Sequence, residues 1–129
     1  MNWTAILTVA AIVGIFMMLK KAGQISAKDA LAHLKNGAMV IDVRSPGEFN
    51  SGHLPAAVNL PLDEIVTALP RRVKNKKQIL LLHCLSGTRS GLAKRKLNGM
   101  GYANVFNLGS YGRAKGILKQ QNSETMAMQ

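Results

Sequence analysis

One segment of the sequence, Cys84 to Ser90, combines residue types that could form a nucleophilic site. It contains the only cysteine of the chain, so no disulfide can form within the chain, and it contains an arginine at Arg89. Consecutive backbone N–H groups in a loop that turns at Gly87 can surround one anion. A helix N-terminus and a nearby guanidinium lower the pKa of a thiol. A lone cysteine is usually an inert buried side chain, but this context favours a thiolate nucleophile at Cys84.

Short apolar runs and helical patterns alternate around this segment. The runs typical of buried strands are Met39 to Val43, Gln78 to His83 and Val105 to Leu108; the helical patterns are Ala27 to Lys35, capped by Ser26, and Arg89 to Asn98. Such alternation predicts an α/β fold, with a small parallel sheet and helices on both of its faces. In these sheets ligands bind beyond the carboxyl ends of the strands, and Cys84 lies directly after the second predicted strand.

The charge of the chain is strongly positive and unevenly distributed. Its 129 residues, about one domain, carry 17 Lys and Arg against 6 Asp and Glu, a net charge of +11. A hydrophobic content of 47% excludes a disordered basic tail. No acidic residue occurs between Glu64 and Glu124, so this half is expected to attract anions such as a small substrate, anionic lipid or nucleic acid. The aromatic content of 5% leaves few stacking platforms and argues against nucleic acid.

The amino terminus differs from the rest of the chain. No charged residue occurs from Trp3 to Leu19, and as a helix this run would extend roughly 26 Å, a short but adequate membrane span. We therefore expect a retained membrane anchor rather than a buried core helix or a cleavable signal peptide. Positive charges follow at Lys20 and Lys21. The positive-inside rule then predicts a single-pass membrane protein with its catalytic domain in the cytoplasm.

Several blocks of the sequence resemble, in order, the rhodanese family of sulfurtransferases in its small single-domain form. These blocks are Ile41 to Phe49, Gly52 to Pro61, the loop Cys84 to Ser90, and Val105 to Gly109. The resemblance covers roughly Ile25 to Lys119. We therefore expect an anchor at residues 1–20, a linker at 21–24, a rhodanese-like domain at 25–119 and a tail at 120–129.

This resemblance implies a sulfurtransferase. Cys84 would attack the outer sulfur of an anionic donor such as thiosulfate and carry that sulfur as a persulfide, and cyanide or a thiol, including a protein thiol, would accept it. The loop amides would stabilise the persulfide and Arg89 would hold the donor. The expected substrate-binding residues are Leu85, Ser86, Gly87, Thr88, Arg89 and Ser90. Asp42 and Arg44 resemble the family's D-x-R pair and would support the site, or else serve only as a cap and surface pair. No cofactor and no metal site is expected.

Two other functions are compatible with the same residues. Only Leu85 to Thr88 separate Cys84 from Arg89, one residue fewer than in phosphatases that share this fold, which favours a single sulfur over a phosphate. Domains of this fold can also be inactive, so the alternative function is a membrane-tethered binding or sulfur-carrier module with a protein partner. The adjacent His83 is interpreted as structural, since neighbouring residues of a strand point to opposite faces.

Overall fold

The computed structural model describes residues 2–129, except for the side chains of residues 20–22. The described helices are α1 (Trp3–Ala22), α2 (Ala27–Lys35), α3 (Pro46–Ser51), α4 (Ile65–Arg72), α5 (Thr88–Gly99) and α6 (Tyr111–Ala127), and the described strands are β1 (Met39–Asp42), β2 (Val58–Asn59), β3 (Leu80–His83) and β4 (Val105–Gly109). Each strand and helix predicted for the α/β domain is present, with ends that differ by two residues at most.

The four strands form one parallel sheet in the order β2-β1-β3-β4. Their carboxyl ends therefore lie at one edge of the sheet. The register between β3 and β4 is interrupted at this edge: Leu82 faces Asn107, but the next residue, His83, faces Gly109. The N–H of Cys84 then donates to the carbonyl oxygen of Gly109 at 3.3 Å. The irregularity thus brings Gly109 beside the first residue of the candidate loop.

Helices cover both faces of the sheet, as the alternation predicted. On one face, Leu80 and Leu82 of β3 pack with residues of α4 and α5, and Cys84 belongs to this cluster. On the other face, Leu81 packs with residues of α2 and α6, including Ile117. Burying one such aliphatic side chain contributes about 1.5–3 kcal/mol to the free energy of unfolding. These clusters hold the sheet edge, and with it the loop, in place.

Serine side chains cap three of the helices. The Ser26 hydroxyl accepts from the N–H of Asp29 at the start of α2, as predicted. At the start of α3, Ser45 and Glu48 form a reciprocal capping box, which fixes the position of the Glu48 carboxylate. Ser110 caps α6. Among residues 2–129 no residue other than glycine has a positive φ.

The predicted transmembrane anchor is wrong. Within the part of the chain that the structure describes, no helix combines the length and apolar character that crossing a membrane requires. The physical reason is length: the charge-free run from Trp3 to Leu19 gives roughly 26 Å of helix, less than a hydrocarbon core of about 30 Å. The single-pass localisation, the assigned orientation and the membrane partner depended on this anchor and are corrected with it. The side chains of Lys20 and Lys21 lie outside the described residues.

Deleting residues 1–19 is expected to leave the melting temperature of the domain unchanged. The side chains from Asn2 to Leu19 are exposed and belong to neither core cluster. Thermal unfolding of the full-length and shortened chains tests this expectation. A decrease in Tm of about 4 °C or more, which corresponds to a loss of about 1 kcal/mol, would contradict it.

A longer deletion, through Ile25, provides the control. The N–H of Ile25 donates to the carbonyl oxygen of Asn107 at 3.0 Å, and its own carbonyl oxygen accepts from the Arg113 guanidinium. Removing this segment breaks both contacts with the sheet edge and is expected to lower Tm.

Candidate active site

The thiol of Cys84 lies at the carboxyl end of β3 and is fully buried, with a relative exposure of 0%. Its Sγ atom accepts a hydrogen bond from the backbone N–H of Gly87 at 3.0 Å. The Ser90 hydroxyl lies 3.5 Å from the same sulfur and donates to it. Two groups of the loop that follows Cys84 thus lie within hydrogen-bond distance of the sulfur.

The loop closes over the sulfur because two glycines have backbone conformations that other residues rarely adopt. Gly87, at the N-cap of α5, has a φ of +96°, and Gly109 has a φ of +93°. A Cβ atom on Gly109 would lie 2.9 Å from atoms of the Gln24 side chain, and a Cβ on Gly87 would lie 3.2 Å from Gly109 Cα. Both positions therefore require glycine. Gln24, assigned to a linker from sequence, contacts the backbone of the loop.

The environment of Cys84 favours the thiolate. Burial raises the pKa of the Cys84 thiol, because it removes the charged form from water. The hydrogen-bond donors act in the opposite direction, and they are the Ser90 hydroxyl and the backbone N–H groups of Ser90, Gly87 and Ser86. Their combined effect is the larger, so the pKa of Cys84 is lower than its ordinary value. A lowered pKa increases the fraction of thiolate, which is the nucleophilic form of cysteine.

The Arg89 guanidinium is held by a carboxylate that the sequence did not connect with it. Its Nη1 donates to Glu48 Oε1 at 2.7 Å and its Nη2 to Glu48 Oε2 at 3.0 Å, a bidentate pair. This hydrogen bond with Arg89 lowers the pKa of Glu48 to about 2. The same contact raises the pKa of Arg89, to which attraction by Cys84 also contributes. Glu48 therefore remains charged and occupies the fork that an anionic donor would use.

A cleft of about 310 Å³ lies beside Arg89 at the carboxyl edge of the sheet. Val43, which follows β1, and Leu62, which follows β2, give it an apolar lining, and Lys96 of α5 gives it a second cation. Both Val43 and Leu62 also pack in the cluster that contains Cys84. The exposed Asp63 also lines the cleft. The cleft can therefore receive a small molecule that carries both charged and apolar groups.

Asp42 and Arg44 form a buried ion pair at the end of the neighbouring strand β1. Arg44 Nη2 donates to Asp42 Oδ2 at 2.8 Å and to the carbonyl oxygen of Gly52 at 2.7 Å. The guanidinium also lies over the ring of Tyr111, 4.7 Å from its centroid. The pair is thus neither a helix cap nor a surface pair. It connects β1 with the end of α3 and the start of α6.

His83 belongs to this buried cluster rather than to the loop interior. Its Nδ1 lies 3.3 Å from the carbonyl oxygen of Cys84, to which it can only donate. Its Nε2 lies 3.7 Å from Asp42 Oδ2 and has no hydrogen-bond partner among residues 2–129. Burial lowers the pKa of His83 and favours the neutral ring. This placement agrees with a structural role.

The remaining residues of the loop present different groups to the site. Leu85 is 59% exposed, and its carbonyl oxygen accepts from the N–H of Tyr111 at 3.2 Å. Ser86 forms an isolated antiparallel bridge with Ser110, and the side chain of Thr88 is exposed. The side chains of these three residues therefore lie on the outer surface of the loop, whereas the backbone N–H of Gly87 and the hydroxyl of Ser90 contact the sulfur.

Replacing Ser90 by alanine is expected to raise the pKa of the Cys84 thiol by about one unit. One hydrogen bond to a charged acceptor contributes about 1.5 kcal/mol, and one pKa unit corresponds to about 1.4 kcal/mol. Below the pKa, the rate of alkylation by iodoacetamide should fall about tenfold. The pH dependence of that rate measures the shift. Ser51→Ala, which removes an exposed hydroxyl of α3, is the control. Equal pH profiles for Ser90→Ala and wild type would refute the assignment.

Comparisons with known proteins agree with this architecture. The family model of the rhodanese-like domain matches residues 26–112. The thiosulfate sulfurtransferase PspE of Escherichia coli is 38% identical over 69 residues, which are 54% of this chain and 66% of that protein. The thiosulfate:glutathione sulfurtransferase of Saccharomyces cerevisiae is 32% identical over 80 residues, which are 52% of this chain and 56% of that protein. The chain thus spans less than two thirds of the length of each of these relatives, 66% of the first and 56% of the second.

A solved structure described as a rhodanese with anions from E. coli shares the fold with a TM-score of 0.57 and 34% identity. The similarity covers 60% of this chain and 91% of that one. The span that the family model matches, residues 26–112, contains the sheet, the Cys84 loop and the ion pair of β1. The chain therefore belongs to the rhodanese-like family.

Proposed function

We propose that this protein is a sulfurtransferase that carries a sulfur atom as a persulfide on Cys84. The observation that supports this proposal most directly is the enclosure of Sγ by hydrogen-bond donors from Gly87 and Ser90. These donors can stabilise a negative charge on one sulfur atom, that of the cysteine itself. The E. coli and yeast relatives, whose names contain thiosulfate sulfurtransferase and thiosulfate:glutathione sulfurtransferase, suggest thiosulfate as the donor and a small thiol as an acceptor.

In the first step, the Cys84 thiolate attacks the outer sulfur of thiosulfate. A bond forms between Sγ and that sulfur, the sulfur–sulfur bond of the donor breaks, and sulfite leaves with the electron pair. No external oxidant is needed, because the donor already contains the sulfane sulfur. The lowered pKa of Cys84 supplies the thiolate for this step.

In the second step, an acceptor thiolate or cyanide attacks the outer sulfur of the persulfide. The bond to Sγ breaks, and Cys84 leaves as a thiolate. The same hydrogen bonds that lower the pKa of Cys84 make it a good leaving group, because a thiol of lower pKa departs faster. One set of donors therefore supports both halves of the cycle.

To bind Arg89, the anionic sulfur donor must share the guanidinium with the Glu48 carboxylate. Glu48 occupies both of its outer nitrogens, and the Arg89 side chain is 36% exposed. An anionic donor that approaches from the cleft must compete with this carboxylate or bind the exposed part of the guanidinium. Glu48 is therefore expected to limit the affinity for anions and to exclude those that interact weakly.

The phosphatase and inactive-module alternatives receive less support. The short loop directs its donors at Sγ itself, rather than around a larger tetrahedral anion. A module without chemistry would have no need of a buried thiol whose pKa is lowered. The proposed catalytic domain corresponds to residues 25–119, and the proposed acceptors include a protein thiol.

Cys84→Ser is expected to abolish sulfur transfer without unfolding the domain, because a hydroxyl cannot form the persulfide. Mass spectrometry after incubation with thiosulfate should show a gain of one sulfur atom on wild type and none on the variant. Turnover by Cys84→Ser at the wild-type rate would exclude the mechanism. A wild-type protein that is folded and never gains sulfur would exclude the function.

Arg89→Ala and Glu48→Gln are expected to shift thiosulfate kinetics in opposite directions. Loss of the guanidinium should lower kcat/KM for thiosulfate about tenfold, since a charge-assisted hydrogen bond contributes about 1.5–3 kcal/mol. Neutralising Glu48 should lower KM severalfold, because the donor no longer competes with a carboxylate. Steady-state kinetics at several thiosulfate concentrations measure both effects. If Glu48→Gln raises KM, the carboxylate assists binding and the competition is refuted.

A further inference from the structure

Asn107 is a buried polar residue of β4 to which the sequence assigned no role. Its side chain makes three hydrogen bonds. The residue as a whole is only 5% exposed. Oδ1 accepts from the Ser90 hydroxyl at 2.6 Å and from the N–H of Gly109 at 2.8 Å. Nδ2 donates to the carbonyl oxygen of Gly87 at 3.0 Å. The amide is thus engaged on both of its polar atoms.

Each of these three partners makes a contact with Cys84. The N–H of Gly87 and the hydroxyl of Ser90 contact Sγ, and the carbonyl oxygen of Gly109 accepts from the Cys84 N–H. The three partners come from the N-cap of α5, its first turn and the end of β4. Asn107 therefore links the separate groups that surround the sulfur and its backbone.

We propose that Asn107 is a positioning residue of the sulfur site: its amide holds Gly87 in the place from which Gly87 donates to Cys84, and its Oδ1 keeps the Ser90 hydroxyl beside the sulfur until the thiol ionises. This inference deepens the proposed function. It assigns the tuning of the nucleophile to a residue that lies outside the catalytic loop and acts through two members of that loop.

The Ser90 hydroxyl has a single proton, so it donates to one acceptor at a time. Three acceptors surround this hydroxyl: Asn107 Oδ1 at 2.6 Å, the carbonyl oxygen of Gly87 at 3.1 Å and Cys84 Sγ at 3.5 Å. When Cys84 is a neutral thiol, the shortest contact takes the proton. When Cys84 ionises, the charged sulfur becomes the stronger acceptor and the hydroxyl turns toward it. Asn107 Oδ1 then still accepts from Gly109, so it is not left unsatisfied.

The fit around the Asn107 amide is close. A Cβ atom on Gly91, in the first turns of α5, would lie 3.3 Å from Asn107 Nδ2. The N–H of Gly91 also donates to the carbonyl oxygen of Gly87 at 3.1 Å, beside the donation from Asn107. Helix α5 thus approaches β4 closely at the residue that holds its N-cap. A side chain at position 91 would therefore press on the Asn107 amide, so the glycine there leaves the space that this amide occupies.

The test compares Asn107→Ala, Ser90→Ala and the double variant by the pH dependence of iodoacetamide alkylation. Asn107→Ala is expected to raise the pKa of the Cys84 thiol by about one unit, seen as an approximately tenfold slower alkylation below that pKa. In the double variant the shift should be smaller than the sum of the two single shifts, because Asn107 acts partly through Ser90. Asn107→Asp keeps the shape of the side chain but replaces the donor to Gly87 by a charged oxygen, and it should raise the pKa further.

Asn104→Ala is the matched control. Asn104 immediately precedes β4, and its side-chain amide donates to the carbonyl oxygen of Lys77 at 2.8 Å, away from the loop. Loss of that bond should lower Tm and leave the alkylation profile unchanged. If Asn107→Ala does not fold, Asn107→Ser, which is also smaller than asparagine and adds no charge, decides the same question.

The outcomes separate this proposal from the proposed function. A folded Asn107 variant with the wild-type thiol pKa, or strictly additive shifts in the double variant, overturns the positioning role. Mass spectrometry of the wild-type protein after thiosulfate treatment tests sulfur uptake independently. A wild-type protein that takes up no sulfur overturns the function, even where the alkylation profiles show that Asn107 positions the thiol.

Discussion

An ionised sulfur surrounded by apolar side chains is stable only where hydrogen-bond donors replace the water that it has lost. The arrangement around Cys84 meets this requirement with groups from several parts of the chain. The loop supplies the donors, β4 supplies the amide that holds them, and Gln24 packs on the two glycines that let the loop close. The interrupted register between β3 and β4 brings these parts together. The α/β framework thus brings distant parts of the chain to the loop that supplies donors to one atom.

The ion pair of Asp42 and Arg44 shows how the same edge of the sheet is held beyond the loop. A buried ion pair is costly unless its remaining hydrogen-bonding groups are satisfied. Here Arg44 also donates to Gly52 and stacks on Tyr111, and Asn59 of β2 donates to the carbonyl oxygens of Asp42 and Arg44. The segment that follows β1, strand β2 and the start of α6 are therefore connected to one another. This network connects the sheet edge without using the groups that hydrogen-bond to the sulfur.

The sequence was sufficient for the parts of the site that are local in the chain. The apolar run before Cys84 and the helical pattern after it placed the thiol at the carboxyl end of a buried strand, and Ser26 marked the start of α2. Glu48, Gln24 and Asn107 were missed because each reaches the loop from a distant element. The capping box of Ser45 and Glu48 was a usable signal, since it fixes where that carboxylate lies. The short α3 and α4 and the two-residue β2 gave too little periodicity, and α4 also contains Pro70. The prediction of a membrane anchor gave too much weight to the apolar character of the run from Trp3 to Leu19 and too little to its length.

The complete burial of Cys84 has a consequence for the order of events in the proposed cycle. Sγ itself has no exposed surface, but a persulfide extends the side chain by one sulfur–sulfur bond, about 2 Å. The atom that an acceptor must reach is thus the outer sulfur, which stands farther out than Sγ. An acceptor that is too bulky to touch the empty site can still meet the loaded one. Loading therefore makes the protein recognisable to its acceptor, and the resting thiol is protected from large electrophiles by depth alone.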